Sequence, residues 1–499
     1  MKNSIFIVLF AIALRLVPIW GGAFPFMYDH ARDSLAIWEM WELHKPALLG
    51  AQTSIPGLYY GPDWYYLALP LNVLLGFHPI AGVLTTIVLA ALALYFVART
   101  FDKTTTLLLA TSVGLIGAQQ SSWSPYLTSI TSVVILALTQ QLSHSKGNRH
   151  FWLAAALVGT LSLSFHFQPA FAVVQLPLVL FALRAEFKKY TWKQLLVLVG
   201  VFAAPFLPQV LFEVRHNFHQ STQLWLFISQ YGAESARVGQ NTTGIARVFE
   251  VGRYVFDSAT SAFPLQVPLA GFALLGVFGW QRRKNRAAKE IDVVLALSLL
   301  MIIGTFFLYL FLPAKSYYFV GLTPYWVYVL AVVIGKFRVN QKVVVTTIGV
   351  LALLQLGLSQ SSRQNLLQTS NAYASKQAVI EKIAELSSGE PFTVYHYIPE
   401  LYDYTYQVLH YRQQLANAQY QPVEISYEPG KYLYLDEYST AQWVPAKSTE
   451  QSKHTFLVVE ADDRIELVMA WWERVSVGQE IAKSYTINPN ITLYEYIFH

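Results

Sequence analysis

Cysteine is absent from the 499-residue chain. Disulfides and thiolate metal sites are therefore excluded, and any domain exposed to an oxidising compartment must be held by core packing alone. Charge is scarce as well: Asp, Glu, Lys and Arg make up 13% of residues while 54% are hydrophobic. Soluble chains carry about 25% charged residues, so half that amount points to a membrane as solvent. Mean hydropathy of +0.37 agrees. The net charge of +5 raises a nucleic-acid partner, but the basic residues are scattered through short loops between apolar runs. That is the arrangement of orientation charges, and it excludes a nucleic-acid surface. There is neither an internal repeat nor a low-complexity segment, only a polar linker around "SQSSRQN".

What the chain does have is long apolar runs. Stretches of near-spanning length occur at 3–20, 79–98, 105–120, 127–142, 151–167, 169–184, 194–212, 263–280, 290–311, 318–335 and 343–360. A crossing helix needs about 20 such residues. No small-residue cleavage site follows "IFIVLFAIALRLVPIW", so the first run reads as a span and not a removable signal. One further stretch, 64–77, is short and contains Pro70.

Lys and Arg belong in short cytoplasmic loops. Five loops are rich in them: Arg99 to Lys103, Lys146 to Arg149, Arg184 to Lys193, "QRRKNRAAK" at 281–289, and Lys336 to Lys342. All five fall on one side only if 64–77 does not cross and lies instead as a juxtamembrane or re-entrant helix. The aromatic run "LYYGPDWYY" suits that headgroup-level position. The expected architecture is a polytopic α-helical membrane protein with about eleven transmembrane helices, its N terminus inside and C terminus outside. Residues 1–360 form the membrane domain, with outer loops at 21–78 and 213–262. The tail 361–499 alternates helical patterns at 371–387, 401–416 and 464–475 with strand-like "PFTVYHY", 423–436, 455–460 and "ITLYEYIF". It reads as a small extracytoplasmic α/β domain.

Chemistry collects on the outer side. "PFMYDHARDSL" follows the first span directly and opens a helix in which Asp29 and Asp33 lie four positions apart, on one face, with Arg32 beside them. Paired carboxylates near an arginine suit a general base whose proton affinity is tuned by neighbouring charge. The plainer alternative makes Asp29 an N-cap and leaves Asp33 and Arg32 on a solvated face. Ser122 to Pro125, His166 with Gln168, Glu213, Arg215, His216, His219 and Lys315 gather at the same outer ends of helices. Each has an ordinary explanation: an interhelical hydrogen bond for His166, a mutual pair for Glu213 and Arg215, snorkelling for Lys315 and for Arg15 in the first span. Ionisable groups among apolar spans are costly, however, and so many on one face mark a functional surface. A membrane-edge site of acids and bases suits a lipid-borne substrate, and cations at its rim suit a phosphate head group.

These residues resemble the GT-C superfamily of polytopic glycosyltransferases, near its protein O-mannosyltransferase and aminoarabinose-transferase branch, the family 39 type. "YDHARDSL" resembles the acidic motif after the first span, with Asp29 at the catalytic position. "YYGPDWYYLALPL", "SSWSP", "LPQVLFEVRHNF" and "LPAKSYYFVGLTPYWVYVLA" resemble, in order, the juxtamembrane element, the second outer loop, the start of the large later loop and the basic-aromatic element before the late spans. The likeness covers about residues 1–360. It implies inverting transfer of a sugar from a polyprenyl phosphate to a glycan, lipid or protein acceptor outside a prokaryotic cell membrane. Asp29 would take the acceptor proton, and Lys315, Arg215 and His216 would offset the leaving phosphate, with the rings of Tyr317 and its neighbours beside the isoprenoid. Many relatives have Asp-Glu where this chain has Asp29-His30, which makes Asp33 the second acid. Some members hold a divalent cation through loop carboxylates; beyond these two, only Glu213 and Asp63 are available for that here. Arg32, Asp63, His166 and Glu213 complete the expected substrate-binding set. The competing readings are an oligosaccharide transferase or ligase of the same superfamily, a polytopic transporter, and a non-catalytic scaffold or receptor. The sequons at Asn241 and Asn490 decide nothing.

Overall fold

A computed structural model describes residues 2–229, 244–261, 292–336, 340–400, 403–430, 448–476 and 481–497. The chain divides into two compact units that interleave along the sequence. One comprises Met1–Val17, Ala47–Leu67 and Val83–Gly357; the other comprises Pro18–Pro46, Ala68–Gly82 and Leu358–His499.

The first unit is helical. Long apolar runs in lipid must satisfy every backbone group within the segment, and helices do so. Among the described residues seven helices are long and apolar enough to cross: Ser4–Gly22, Ile80–Ala98, Ser124–Ser143, Gly147–Phe167, Trp192–Arg215, Ser316–Gly335 and Gln341–Leu367. Pro169–Ala182 and Val293–Tyr309 are shorter apolar helices. The stretch expected at 263–280 and the basic loop at 281–289 lie outside the described residues. Asp63–Leu74, the stretch that charge placed off the crossing path, is a helix of 12 residues. That is too short to span.

Three sequence readings need correction. The run at 105–120 is two helices, Lys103–Thr111 and Val113–Gln119, separated at Ser112, whose ψ is 125°. The break frees the Gly114 amide to donate to Ser261 O at 2.7 Å. Arg15 does not snorkel. It is buried, donating from Nε to Gln119 Oε1 at 2.7 Å and from Nη1 to Ala11 O and Ala110 O at 2.8 and 3.0 Å. A carbonyl and an amide at the broken run give the guanidinium acceptors without a reach to water. The "linker" at 359–365 is helix, because Gln341–Leu367 continues straight through it.

The second unit is built on a five-stranded sheet of order β2-β1-β3-β5-β4, with β1 Phe392–Tyr397, β2 Pro422–Ser426, β3 His454–Glu460, β4 Ile481–Asn488 and β5 Ile491–Ile497. β1 pairs in parallel with β2 and β3, while β5 pairs antiparallel with β3 and β4. Every residue of β1 is buried, as expected for a parallel strand covered on both faces. Tyr395, Tyr397, Leu457, Trp471, Val475 and Tyr496 form a core cluster. The helices of this unit include Tyr28–Glu42, Tyr373–Ser387, Tyr404–Ala416 and Ile465–Val475. The strand at 423–436 stops at Ser426, and residues 431–436 lie outside those described.

Residues 24–26 join this unit through the backbone. Pro25 bridges Ala372, Phe26 N donates to Asn371 O at 2.8 Å, and Tyr373 N donates to Phe24 O at 3.0 Å. The Phe24 ring stacks on Tyr373 with centroids 5.0 Å apart.

Candidate active site

The acidic helix Tyr28–Glu42 is specified locally at both ends. Met27, extended at φ −108° and ψ 178°, is its N-cap, and Met27 N donates back to Nδ1 of His30 at 3.1 Å. That bond requires a neutral His30, and burial together with Arg32 lowers its pKa to about 4. Asp29 is thus the second residue of the first turn and not the cap. Its charge there is still favoured by the exposed amides of the helix start. Trp38 stacks on Phe77 at 5.1 Å and anchors the apolar face. At the far end His44 takes a left-handed φ of 50° that stops the helix.

Arg32 joins the two acids. Its Nη1 lies 2.8 Å from Asp29 Oδ1 and its Nη2 lies 3.0 Å from Asp33 Oδ1. The solvated-face reading fails, since Asp33 is 3% exposed. Asp29 is half-buried; burial raises its pKa, and the Arg32 charge and hydrogen bond oppose the rise. Burial that raises the proton affinity of a carboxylate makes it a better proton acceptor than an exposed one.

A third carboxylate was not read from the sequence. Glu400 Oε2 accepts from Tyr28 N at 3.0 Å. Burial pushes its pKa up to about 7; Lys376 pulls it down, Glu460 raises it, the Tyr28 amide pulls it down, and Asp29 raises it. Lys376 and Glu460 are themselves buried and paired at 2.8 Å, with Tyr406 Oη donating to Glu460 Oε1 at 2.9 Å. Glu400 sits 371 positions after Asp29, so no local pattern could have found it.

The other predicted residues lie in the first unit. His166 Nδ1 is in contact with Asp63 Oδ2, its ring buried and packed edge-on to Phe206 at 4.5 Å. Gly61 makes room, because a Cβ there would overlap the His166 ring. Tyr317 packs on Trp123 of "SSWSP" at 4.7 Å, which unites two motifs noted separately in the sequence. Lys315 stands half-buried just before the tight turn Ser316–Leu322. Glu213 does not pair with Arg215: its oxygens accept from Gln220 N and Ser221 N, each at 2.9 Å. Arg215 and His216 are exposed, with His216 stacked on Phe212 at 4.0 Å.

Arg247 was also missed. It is buried on the helix Gly244–Thr260, with Nε 3.2 Å from Tyr309 O and Nη1 2.8 Å from Glu250. Its signal was the amphipathic pattern of "GIARVFEVGRYVF", inside a segment read as loop. Among the described residues no three His, Asp or Glu side chains gather as a metal site requires.

Among the described residues, helices long and apolar enough to cross a membrane together with a mixed five-stranded sheet define the class: a polytopic α-helical membrane fold with an α/β unit. In particular the chain shares its fold with ArnT from Cupriavidus metallidurans. The crystal structure of that protein bound to undecaprenyl phosphate matches with a TM-score of 0.61 and 13% identity, over 99% of this chain and 98% of that one. The apo crystal structure matches with a TM-score of 0.58 and 12% identity over the same shares. No family model matches the sequence, and neither does any curated protein.

Proposed function

We propose that the chain is a glycosyltransferase that moves a sugar from a polyprenyl-phosphate donor to an acceptor on the outer face of the cytoplasmic membrane. The observation that carries this reading is the acid pair clamped by Arg32, half-buried Asp29 and buried Asp33, directly after the first apolar helix of a fold shared with a protein crystallised on undecaprenyl phosphate. Asp29 is the general base. It takes the acceptor hydroxyl proton as that oxygen attacks the anomeric carbon, the bond from that carbon to the phosphate oxygen breaks, and configuration inverts. Asp33 and Arg32 hold Asp29 in place and tune its proton affinity. Lys315 and Arg215, with His216, offset the charge on the departing lipid phosphate. The rings of Tyr317 and Trp123 flank the isoprenoid; Asp63, His166 and Glu213 order the first unit's outer loops. In the topology derived from loop charge, about eleven helices span, the N terminus is inside, and the α/β tail is outside.

The test is transfer in proteoliposomes given labelled polyprenyl-phosphate sugars and membrane acceptors. Wild type should release polyprenyl phosphate and label an acceptor, while Asp29→Asn, inserted at the same level, should lose 100-fold or more. Transfer by Asp29→Asn within tenfold of wild type would remove Asp29 from the chemistry.

A further inference from the structure

We propose that Glu400, on the loop after β1, is a positioning residue for Asp29: it fixes the first turn of the acidic helix and sets the proton affinity of the base. The inference rests on the transferase reading above.

The start of a helix leaves amides without intrahelical acceptors. Here Met27 N is taken by His30 and Tyr28 N by Glu400. Tyr28 is the residue before Asp29, so the Glu400 carboxylate holds the peptide that orients the base. A carboxylate at this end of a 15-residue helix is also favoured by its dipole.

Charge adds the second part. Among the described residues the groups facing Glu400 are Asp29 and Tyr28 N from the acidic helix, Lys376 from Tyr373–Ser387, Tyr406 from Tyr404–Ala416, and Glu460 from the end of β3. Arg32 is shared between Asp29 and Asp33, and Lys376 is committed to Glu460. Among the described residues two cations, Arg32 and Lys376, therefore serve four carboxylates in a mostly buried cluster. Full ionisation is unfavourable there, and the group that keeps a proton governs how readily its neighbours lose theirs. Glu400 is that group, held about 7 mainly by burial. With Glu400 neutral, Asp29 feels one negative neighbour fewer and stays ionised as a base. With Glu400 charged, Asp29 binds its proton more tightly.

Two variants separate position from charge. Glu400→Gln keeps an oxygen acceptor for Tyr28 N and removes the titration; Glu400→Ala removes both. Transfer is measured across pH with donor and acceptor varied, and carboxyl protonation is followed by infrared difference titration, with Asp29→Asn assigning the Asp29 band. Coupling is reciprocal, so Asp29→Asn should move the Glu400 infrared midpoint down by about one pH unit, whereas Glu400→Gln, which matches the protonated group, should abolish that band and leave the acid limb of kcat/KM in place. Glu400→Ala should lower kcat about 10- to 100-fold with donor KM near wild type. A Glu400 midpoint that Asp29→Asn leaves unmoved would overturn the inference. So would a Glu400→Ala loss confined to KM. If wild type transfers no sugar, the transferase reading fails on its own, and the infrared midpoints still decide whether Glu400 sets the proton affinity of Asp29.

Discussion

Arg32 is where the arrangement can be broken most cleanly. Arg32→Gln removes the cation from between two carboxylates that it holds at 2.8 and 3.0 Å. Unit charges about 4 Å apart interact by about 4 kcal/mol at an effective dielectric near 20. The three side chains are 17%, 20% and 4% exposed, so solvent screening reduces this only in part. A carboxylate that loses an adjacent arginine gains about 1–3 pKa units. The sign is fixed: Arg32 opposes the burial that raises the Asp29 pKa, so its removal lets the value climb further. Asp29 is then protonated over a wider acid range. Below its pKa the ionised fraction falls tenfold per unit, which predicts a loss of about 10- to 1,000-fold on the acid limb. Activity should return in part as pH is raised, a recovery that a merely misfolded variant would not give. Stability should fall by up to about 3–5 kcal/mol where Asp33 stays charged, and by less once it protonates. Arg32→Lys should be intermediate, since one ammonium cannot reproduce a two-nitrogen bridge. The assay is kcat/KM against pH in proteoliposomes, with thermal unfolding in detergent alongside. An acid limb unmoved in Arg32→Gln would refute the tuning role, whatever the absolute rate.

Lys315→Ala and Arg215→Ala should each raise donor KM and lower kcat, with Lys315→Arg partly tolerated; unchanged constants in both alanine variants would take the phosphate clamp out of the mechanism. Because the chain has no native cysteine, single cysteines at Lys45 and Lys103 report topology directly. Opposite-side labelling is expected if only Ile80–Ala98 crosses between them, and same-side labelling would mean that 64–77 spans. Gly61→Ala should push the His166 ring from its place beside Asp63 and cost about 1–3 kcal/mol, read as a lower unfolding temperature. Glu400, raised from its ordinary 4.5 to about 7, favours folding in its protonated form. That contribution, about 3 kcal/mol, is fully present below pH 4.5 and lost as pH rises through 7, so Glu400→Gln should flatten the decline in stability across that window.

Sequence carried the features whose cause is local. The long apolar helices follow from runs of apolar residues, the short helix Asp63–Leu74 from its length and Pro70, and the acid pair with Arg32 from helical spacing alone. β1, β3 and β5 were legible because their residues are apolar or aromatic. β4 was not. Its "IAKSYTIN" is mostly exposed, and it becomes a strand only through pairing with β5. Hydropathy also ran unbroken across 105–120 and could not show the extended Ser112. Arg15 was misjudged because its acceptors lie 95 and 104 positions away. Within the candidate site the same division holds: neighbours three and four apart were visible, while Glu400 was not.

That long-range part changes what the tail means for the chemistry. A domain placed after the last span would be expected to contribute acceptor contacts and little else. Yet the segment that leads into the acidic helix has no regular partner of its own before Met27; its backbone is held at Asn371, Ala372 and Tyr373. The helix it introduces presents Tyr28 N to Glu400, and the residues 68–82 that supply Phe77 to Trp38 belong to the same unit. The base proposed for the reaction is therefore embedded in the α/β unit rather than displayed on a loop of the membrane bundle. A helix of this length is marginal in isolation, so its geometry depends on those contacts. Deleting the residues beyond 357 would remove the strand bridge and the Glu400 carboxylate together, along with the Lys376–Glu460 pair behind them. The apolar helices could still insert, but Asp29 would be left on a segment with nothing to order it, and transfer should be abolished even where insertion is complete.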